Sequence, residues 1–333
     1  MDDRPHNGPL VSIVTPALNE AGNLAALADR IKETLQAVGR YELIVVDDGS
    51  TDETREKLRA LSVERPEIKY ISLSRNFGHQ AALTAGLRAA SGRCVIAMDA
   101  DLQHPPSALI EMISFWRAGF DVVLTEREDH EGAPLFKKAT SRAFYALLSW
   151  LSEAKLAPGS ADFFLIDAKA LAALRRYDEQ HIFYRGLLPN LGFRQHRLKY
   201  KAAPRHAGAS SYTLKKMLRL ARDGVLATSI KPLRLGVFLS GLVGVGALFY
   251  AAYAVFVSLV LGQALPGWTS VILVMTTIGA MQLFALGVIG EYVGRILVEA
   301  RGRPLYLVAE TNIEALGRDA PASSGAQDRK AMQ

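Results

Sequence analysis

The chain contains 333 residues with a formal net charge of +6, and hydrophobic residues make up 50% of it. Its mean hydropathy of +0.12 is high for a purely soluble protein, and its one cysteine excludes an intramolecular disulfide framework. The basic charge favours an anionic partner. Because the sequence has no zinc-finger spacing and no aromatic-basic sheet signature, phosphates and lipid headgroups are favoured over nucleic acid.

The first hundred residues alternate between short apolar runs and amphipathic segments. This alternation predicts an α/β domain, within residues 1–230, built on a mostly parallel sheet covered on both faces. Cys94 lies inside the fourth apolar run and is predicted to be a buried structural thiol. Strands are predicted at residues 10–15, 41–46, 68–73 and 93–98, and helices at residues 19–37, 51–61 and 79–90.

Polar residues follow each of these strands. In parallel α/β sheets the ligand lies beyond the carboxyl ends of the strands, so we expect these residues to line one pocket. Asp47 and Asp48 are suited to hydrogen-bond a nucleoside base or ribose, whereas residues 50–53 are predicted to begin a helix with an N-cap at Ser50 or Thr51. The predicted pocket residues are Pro16, Asn19, Glu20, Asp47, Asp48, Arg75, Asp99 and Asp101.

Asp99-Ala100-Asp101 and Gln103 form the most specific motif, directly after the fourth strand. An Asp-x-Asp triplet alone often marks an ordinary polar turn. Carboxylate and amide oxygens are, however, ligands that Mg²⁺ and Mn²⁺ prefer, and these ions complete their shell with substrate phosphates. We therefore predict a divalent metal site formed by Asp99, Asp101 and Gln103. His104 is left outside it, because a single histidine in an oxygen-donor site is more often a loop residue.

Two stretches, residues 135–151 and 213–230, are basic and amphipathic. Each is compatible with a solvated helix packed on the domain. Basic residues opposite aromatic and leucine side chains, upstream of apolar segments, also suit helices that lie in a membrane interface, and we favour this interpretation.

Residues 235–261 and 264–290 contain no charged side chain. As helices, each extends about 40 Å, which is enough to cross a hydrocarbon core of about 30 Å. The alternative is a pair of buried core helices. Basic residues flank both outer ends and the segment between the runs is uncharged, which predicts a hairpin with both termini in the cytoplasm. The amino terminus has no signal-peptide pattern.

The predicted transmembrane helices span residues 235–261 and 268–294, within a membrane unit of residues 231–300. Glycines in both helices permit close packing between helices or between subunits, so a homo-oligomer is possible. Residues 301–333 are predicted to be a cytosolic C-terminal tail that is partly disordered, because the residues from 316 onward are small and polar.

These motifs together carry a family resemblance. The sequence resembles the inverting family 2 glycosyltransferases of GT-A fold, and within them the polyprenyl-phosphate glycosyltransferases, the group of dolichol-phosphate mannose synthase and the GtrB-like bacterial enzymes. The resemblance covers nearly the whole chain. Its motifs are residues 11–20, 45–52, 74–80, 98–106, 183–187 and 208–212, followed by the hairpin.

The resemblance implies an enzyme at the cytoplasmic face of a bacterial inner membrane. The implied reaction moves a sugar from a UDP- or GDP-linked donor to a polyprenyl phosphate, with Mg²⁺ or Mn²⁺ as cofactor and membrane lipids as further partners. By motif, Asp101 and Gln103 hold the ion, Asp99 contacts the donor or the metal, and Asp47 contacts the nucleotide.

The resemblance also implies roles for residues after the fourth strand. Asp162 matches an acidic residue with a catalytic role, together with Asp101 and Arg127; we interpret Asp162 as an orienting group or an optional base. Residues 208–212 read Gly-Ala-Ser-Ser-Tyr where the family commonly has Gly-x-Ser-Lys-Tyr, which puts a phosphate or donor contact at Ser211 in doubt. The lipid phosphate is assigned to Arg127, Lys137, Lys138 and Ser141, and further donor contacts are assigned to Arg185 and Arg205.

Three other functions agree less well with the sequence. A processive polysaccharide synthase needs a membrane channel and a Gln-x-x-Arg-Trp motif, and residues 180–185 lack that spacing and the tryptophan. A non-catalytic, membrane-anchored protein that binds nucleotide-sugar is disfavoured by the intact acidic motif. A dinucleotide-binding dehydrogenase is excluded, because the glycine cluster at residues 241–246 lies in an apolar span rather than after a strand.

Overall fold

The computed structural model describes residues 9–127, 160–177, 179–180, 182–201, 229–260 and 267–314. The chain divides into two compact units. Of the described residues, the first unit contains 9–127, 160–201 with the gaps given, and 304–314, and the second contains 229–303. The predicted amphipathic helices lie outside the described residues, as do Lys137, Lys138, Ser141, Arg205 and Ser211.

The first unit is built on an eight-stranded sheet. The strands are β1 (Val11–Ala17), β2 (Tyr41–Asp47), β3 (Ile68–Leu73), β4 (Cys94–Ala97), β5 (Val122–Arg127), β6 (Ser160–Asp167), β7 (Gln195–Tyr200) and β8 (Val308–Thr311). Their order is β7-β5-β6-β4-β1-β2-β3-β8. The central strands β4, β1, β2 and β3 are mutually parallel, whereas β6 is antiparallel to both of its neighbours and β8 is antiparallel to β3. The predicted α/β fold with a mostly parallel sheet is confirmed.

Helices cover both faces of this sheet. Strand residues that alternate along β1, β2 and β4 enter two separate hydrophobic clusters. One cluster includes the helices Leu24–Leu35 and Pro106–Arg117, and the other includes the helices His79–Ala89 and Ala168–Leu174. This explains why the strands read as continuous apolar runs. The thiol of Cys94 is fully buried, as predicted, and this burial raises its pKa. The helices are α1 (Leu24–Leu35), α2 (Thr54–Glu64), α3 (His79–Ala89), α4 (Pro106–Arg117), α5 (Ala168–Leu174) and α6 (Tyr184–Leu187).

Helix α3 packs closely on β1 at a glycine. A Cβ atom added at Gly86 would lie 2.3 Å from Cγ1 of Val14. Any larger residue at this position therefore pushes α3 away from the sheet, and α3 carries a side chain of the candidate site described below.

Two features of the first unit differ from the sequence predictions. The N-cap of α2 is Glu53 rather than Ser50 or Thr51, because those two residues bond to the loop after β1 instead. The second feature is β8, which lies in the segment predicted to be a tail. Carbonyl and carboxylate groups of that segment bond to β3 and to α2, so it forms an edge strand of the sheet.

In the described part of the second unit there are two long helices, α7 (Lys231–Val260) and α8 (Trp268–Ala300), which pack against each other. They agree with the predicted helices at residues 235–261 and 268–294, with somewhat wider bounds. Among the described residues, Val274–Ala300 is long and apolar enough to cross a membrane, and Gly236–Tyr250 is a shorter apolar stretch. Many large apolar side chains of both helices are exposed.

Candidate active site

An open pocket of about 300 Å³ lies at the carboxyl ends of β1, β2 and β4 and beside the loop after β3. Its position agrees with the general rule for ligand sites in parallel sheets. Five residues predicted from the sequence therefore share one pocket: Pro16, Glu20, Asp48, Asp99 and Asp101. The full lining is Pro16, Ala17, Leu18, Glu20, Asp48, Asn76, Gly78, His79, Asp99, Ala100 and Asp101.

The lining is acidic. Burial raises the pKa of Glu20, and the nearby charges of Asp101 and Asp99 raise it further, against a hydrogen bond from Asn23 that lowers it. Burial also raises the pKa of Asp48, although two backbone N–H groups oppose this shift. Crowded carboxylates of this kind are stabilised by a bound cation.

The pKa of Asp99 shifts in the opposite direction. Burial alone would raise its pKa, but the imidazoles of His104 and His79 and the guanidinium of Arg185 outweigh this effect and lower it. Asp99 therefore stays ionised next to the other acidic groups of the pocket.

Of the neighbouring Asp47 and Asp48, only Asp48 lines the pocket. Asp47 is fully buried, and its two oxygens accept from the backbone N of Ser50 at 2.8 Å and from Nε of Arg55 at 3.2 Å. Asp48 accepts from the backbone N of Phe77 at 2.7 Å and of Gly78 at 3.0 Å. Asp47 thus shapes the loop after β2, while Asp48 joins that loop to the one after β3.

Gly49 lies between these two loops. Its φ is +70°, and an added Cβ atom would lie 2.4 Å from the backbone carbonyl carbon of Arg75. Only glycine fits both this conformation and this approach of two backbones.

Asn19 and Arg75 lie beside the pocket without lining it. Asn19 has a φ of +58°, and its Oδ1 accepts from the backbone N of Thr51 at 2.9 Å. Asn19 therefore connects the loop after β1 to the loop after β2. The guanidinium of Arg75 lies 4.1 Å from the ring centroid of Phe77, on the exposed side of its loop.

Asp99, Asp101 and His104 present ligand atoms that all lie within 4.8 Å of one another. His104 is buried, its ring lies 4.2 Å from that of Phe163, and neither ring nitrogen has a hydrogen-bond partner among the described residues. Two carboxylates and an imidazole suit Mn²⁺, and the carboxylates alone suit Mg²⁺. The sequence prediction left His104 out as a loop residue. Its contact with Phe163, on β6, is long-range and has no signal in the local sequence.

Gln103 connects this group to β5. Its Nε2 donates to Asp101, and its Oε1 accepts from Nη1 of Arg127 at 3.3 Å. The preceding residue, Leu102, has a φ of +61°, an unfavourable conformation for leucine that turns the loop and brings Gln103 back onto Asp101. Gln103 thus links Arg127, at the end of β5, to Asp101.

Asp162 is a buried carboxylate on β6. It accepts from Nε and Nη2 of Arg185 at 3.0 and 2.8 Å, and from Nε2 of Gln80 at 3.0 Å. Nε2 of His79 lies 3.6 Å from Oδ2 of Asp162 and 3.7 Å from Oδ1 of Asp99. The structure therefore brings Asp162 and Arg185 together, and connects them to the pocket through His79.

His79 and Gln80 were not predicted as site residues. Both belong to the motif at residues 74–80, directly after β3, which was the available signal. The roles assigned to all these residues stay predictions. Arg205, Lys137, Lys138 and Ser141 are not among the described residues.

The fold and the site define a class of protein. Residues 12–183 match the family model described as glycosyl transferase family 2. The chain therefore belongs to this family of sugar-transferring enzymes, and the resemblance stated from the motifs is confirmed.

Individual relatives extend the similarity beyond the family model. The chain is 40% identical over 301 residues to the uncharacterized glycosyltransferase YkcC of Bacillus subtilis (strain 168), covering 90% of this chain and 93% of that protein. It is 33% identical over 304 residues to the SfII prophage-derived bactoprenol glucosyl transferase of Shigella flexneri, covering 91% of this chain and 98% of that protein.

A solved structure is also similar. It is glucosyl-3-phosphoglycerate synthase from Mycobacterium tuberculosis, which superimposes with a TM-score of 0.46 at 21% identity and covers 66% of this chain and 78% of its own.

Proposed function

We propose that this protein is a metal-dependent, inverting glycosyltransferase that moves a sugar from a nucleotide-sugar to a polyprenyl phosphate. The observation that carries the proposal is the acidic pocket at the carboxyl ends of β1, β2 and β4, with Asp99 and Asp101 in its lining. Full-length similarity to proteins named bactoprenol glucosyl transferase supports the acceptor class.

The charge of the pocket supports metal dependence. Glu20, Asp48, Asp99 and Asp101 line it, and a nucleoside diphosphate is itself an anion. The two repel each other unless a cation lies between them. Asp99 and Asp101 would hold a divalent ion, with Gln103 or His104 as a further ligand, and the ion would neutralise charge that develops on the leaving diphosphate.

The acceptor needs little help from a base. A phosphate monoester has a second pKa of about 6, so it is mostly dianionic at neutral pH. One of its oxygens attacks the anomeric carbon while the bond from that carbon to the diphosphate oxygen breaks, and no proton has to be removed. Asp162, held by Arg185 and Gln80, orients groups around the transfer site.

Cationic side chains bind the acceptor phosphate in this proposal. Arg127 lies next to Gln103 at the edge of the acidic group, where its charge reduces repulsion between two phosphorylated substrates. Lys137, Lys138 and Ser141 complete this lipid-phosphate site, and Arg205 contributes to the donor site.

We further propose that α7 and α8 are a transmembrane hairpin in a bacterial inner membrane. The connectivity of the sheet supports an even number of crossings: β7 precedes these helices in the chain and β8 follows them, yet both are strands of one sheet. Both ends of the apolar segment then lie on the same side of the membrane. Basic flanking residues favour the cytoplasmic side.

The test uses the full chain purified in detergent. Undecaprenyl phosphate is incubated with a panel of UDP- and GDP-linked sugars, with Mg²⁺ or Mn²⁺ or with a chelator, and the lipid is extracted. We expect one sugar to be transferred to the lipid for each nucleoside diphosphate released. Both products should be absent when the chelator is added. Asp101→Asn should reduce transfer by about 100-fold or more, the size of effect found when an electrostatic group at a reacting centre is removed.

Asp29→Asn is the matched control, because Asp29 lies on the surface of α1, paired with Arg65, and should transfer at the wild-type rate. Nucleotide-sugar binding without turnover would instead indicate a non-catalytic binding protein, and release of long polymers would indicate a processive synthase. Full activity under chelation contradicts the metal site.

A further inference from the structure

His79 lies where the two halves of the candidate site meet. It is the first residue of α3 and follows Gly78, whose φ of +98° turns the chain from the loop after β3 into the helix. Its side chain is 41% exposed and lines the pocket, so it faces the space assigned to the substrates rather than the hydrophobic core.

Two carboxylates from different strands flank its Nε2 atom. Asp162 extends from β6, and Asp99 follows β4; their oxygens lie 3.6 and 3.7 Å from Nε2 of His79. An ionised carboxylate only accepts hydrogen bonds, and an imidazole N–H donates one. Both distances are longer than a hydrogen bond and within the range of an ion pair. The imidazole thus lies between two carboxylates that otherwise repel each other, within reach of both.

Each carboxylate has other contacts that hold one side of it. Arg185 and Gln80 bond to Asp162, and His104 lies 3.5 Å from Oδ2 of Asp99. The charge of Arg185, which bonds to Asp162, also acts on Asp99. His79 is also the one basic side chain among the described residues that line the pocket.

We infer that His79 is a positioning residue of the transfer reaction: it sets the distance between Asp99, on the donor and metal side of the site, and Asp162. This inference rests on the proposed function. His79 acts through these carboxylates and not on the reacting atoms. Its loss should therefore slow the transfer step while binding of the substrates is largely retained, because preorganised geometry affects the rate more than the affinity.

The experiment compares His79→Leu with His79→Gln in the full chain, in detergent. Leucine is close to histidine in size but has no donor, whereas the glutamine amide has a donor that reaches about as far as Nε2. We expect His79→Leu to lower kcat by about 10- to 100-fold, with KM for the donor and for undecaprenyl phosphate changed by less than about threefold. His79→Gln should recover most of the lost kcat.

Two further measurements separate positioning from loss of fold or metal. The thermal midpoint of each variant reports folding, and electron paramagnetic resonance of added Mn²⁺ reports metal affinity. We expect this affinity to fall by less than about tenfold, the lower end of what loss of a ligand's outer partner costs, because Asp99, Asp101 and His104 are intact and His104 still lies 3.5 Å from Asp99. The matched control is His196→Leu. His196 stacks on Phe115 with 3.7 Å between ring centroids, does not line the pocket, and should keep the wild-type kcat.

The inference is overturned if His79→Leu matches wild type, if His79→Gln is as slow as His79→Leu, or if the loss of kcat follows a loss of Mn²⁺ affinity. These results leave the proposed function standing as long as the wild-type chain transfers sugar. A wild-type chain that transfers no sugar from any donor of the panel contradicts the proposed function. That result also overturns the positioning role of His79.

Discussion

Glu42 is a buried carboxylate on β2, at the end of the sheet opposite the pocket. Its Oε1 accepts from Ser12 and from the backbone N and Oγ of Ser91, and its Oε2 accepts from Nζ of Lys69. One side chain thus connects β1, β2, β3 and the turn before β4. Burial raises the pKa of Glu42, but the bonds from Lys69, Ser12 and Ser91 outweigh it and lower the pKa below 4.5.

We expect Glu42→Gln to destabilise the fold by about 2–4 kcal/mol at neutral pH, because a buried charged network loses its acceptor. A carboxyl whose folded pKa is lowered stabilises the fold above its unfolded pKa, and this contribution is lost as the pH falls through the folded pKa. The difference in thermal midpoint between wild type and variant should therefore shrink below about pH 4.5.

Scanning fluorimetry of the full chain in detergent at pH 7 and at pH 4 measures this difference. Glu33→Gln, on the exposed face of α1, serves as the control and should match wild type at both pH values. An equal difference at both pH values would show that the charge of Glu42 is not what stabilises the network.

Arg127 is the residue through which the lipid-phosphate assignment is tested. Its guanidinium lies at the carboxyl end of β5, bonded to Gln103. Arg127→Ala should raise KM for undecaprenyl phosphate by about tenfold, because one charge-assisted contact to phosphate is lost. KM for the donor should change less. Steady-state kinetics with each substrate varied in turn makes the measurement.

Arg197→Ala is the companion variant, because Arg197 lies on the adjacent strand β7 and pairs with Glu126 at 2.7 Å. An unchanged lipid KM in Arg127→Ala, or an equal rise in Arg197→Ala, contradicts the specific role of Arg127.

At the scale of elements, β8 is the edge strand that ties the segment after α8 to the catalytic sheet. Glu310 accepts from Nε of Arg59, on α2, and from the hydroxyl of Tyr70, on β3, each at 2.6 Å. Asn312 accepts from the backbone N of Tyr70 at 2.8 Å. In the same segment, the carbonyl of Leu307 accepts from the backbone N of Ser74 at 2.9 Å, at the start of the loop that carries Asn76 and leads into α3.

Glu310→Ala should therefore destabilise the first unit by about 0.5–1.5 kcal/mol, since the Arg59 pair is partly exposed and screened while the Tyr70 bond is partly buried. Hydrogen exchange is the sharper measurement: amides of β3 and β8 should exchange faster in the variant, whereas those of β6 should not change. An equal increase in the exchange rate of amides across the whole sheet would contradict a local role for β8.

At the scale of the whole molecule, the two compact units differ in their surfaces. The first has its apolar residues in two interior clusters, and the second exposes large apolar side chains along both helices. Water does not solvate such a surface favourably, so the second unit is suited to a lipid environment.

The hairpin predicts where fused reporters function. Green fluorescent protein after residue 333 should be fluorescent and alkaline phosphatase at the same place inactive, because the proposed hairpin places that end in the cytoplasm. Alkaline phosphatase inserted at residue 264, between the helices, should be active. Active phosphatase at the carboxyl terminus would indicate a single crossing and would contradict the hairpin. Carbonate washing should leave the full chain in the membrane fraction.

The sequence by itself determined the central strands and the polar residues that follow them. A buried strand is a continuous apolar run, and its end is marked by the next polar residues, so both signals are local. These local signals are sufficient to predict one pocket that contains Glu20, Asp48, Asp99 and Asp101. Boundaries were less exact: α1 begins at Leu24 because the residues before it bond across to the loop after β2.

Only the tertiary structure decided which polar side chains meet. Asp47 and Asp48 are equivalent in sequence, yet Asp47 turns inward to Arg55 and Asp48 faces the pocket. His79 and His104 reach Asp99 because β3 and β4 end, and the antiparallel β6 begins, at one edge of the sheet. Strand β8 has only four residues, and its partner strand lies about 240 residues earlier in the chain. Local patterns fix where strands end, but strand order fixes which ends are neighbours, and that order depends on packing across the whole domain.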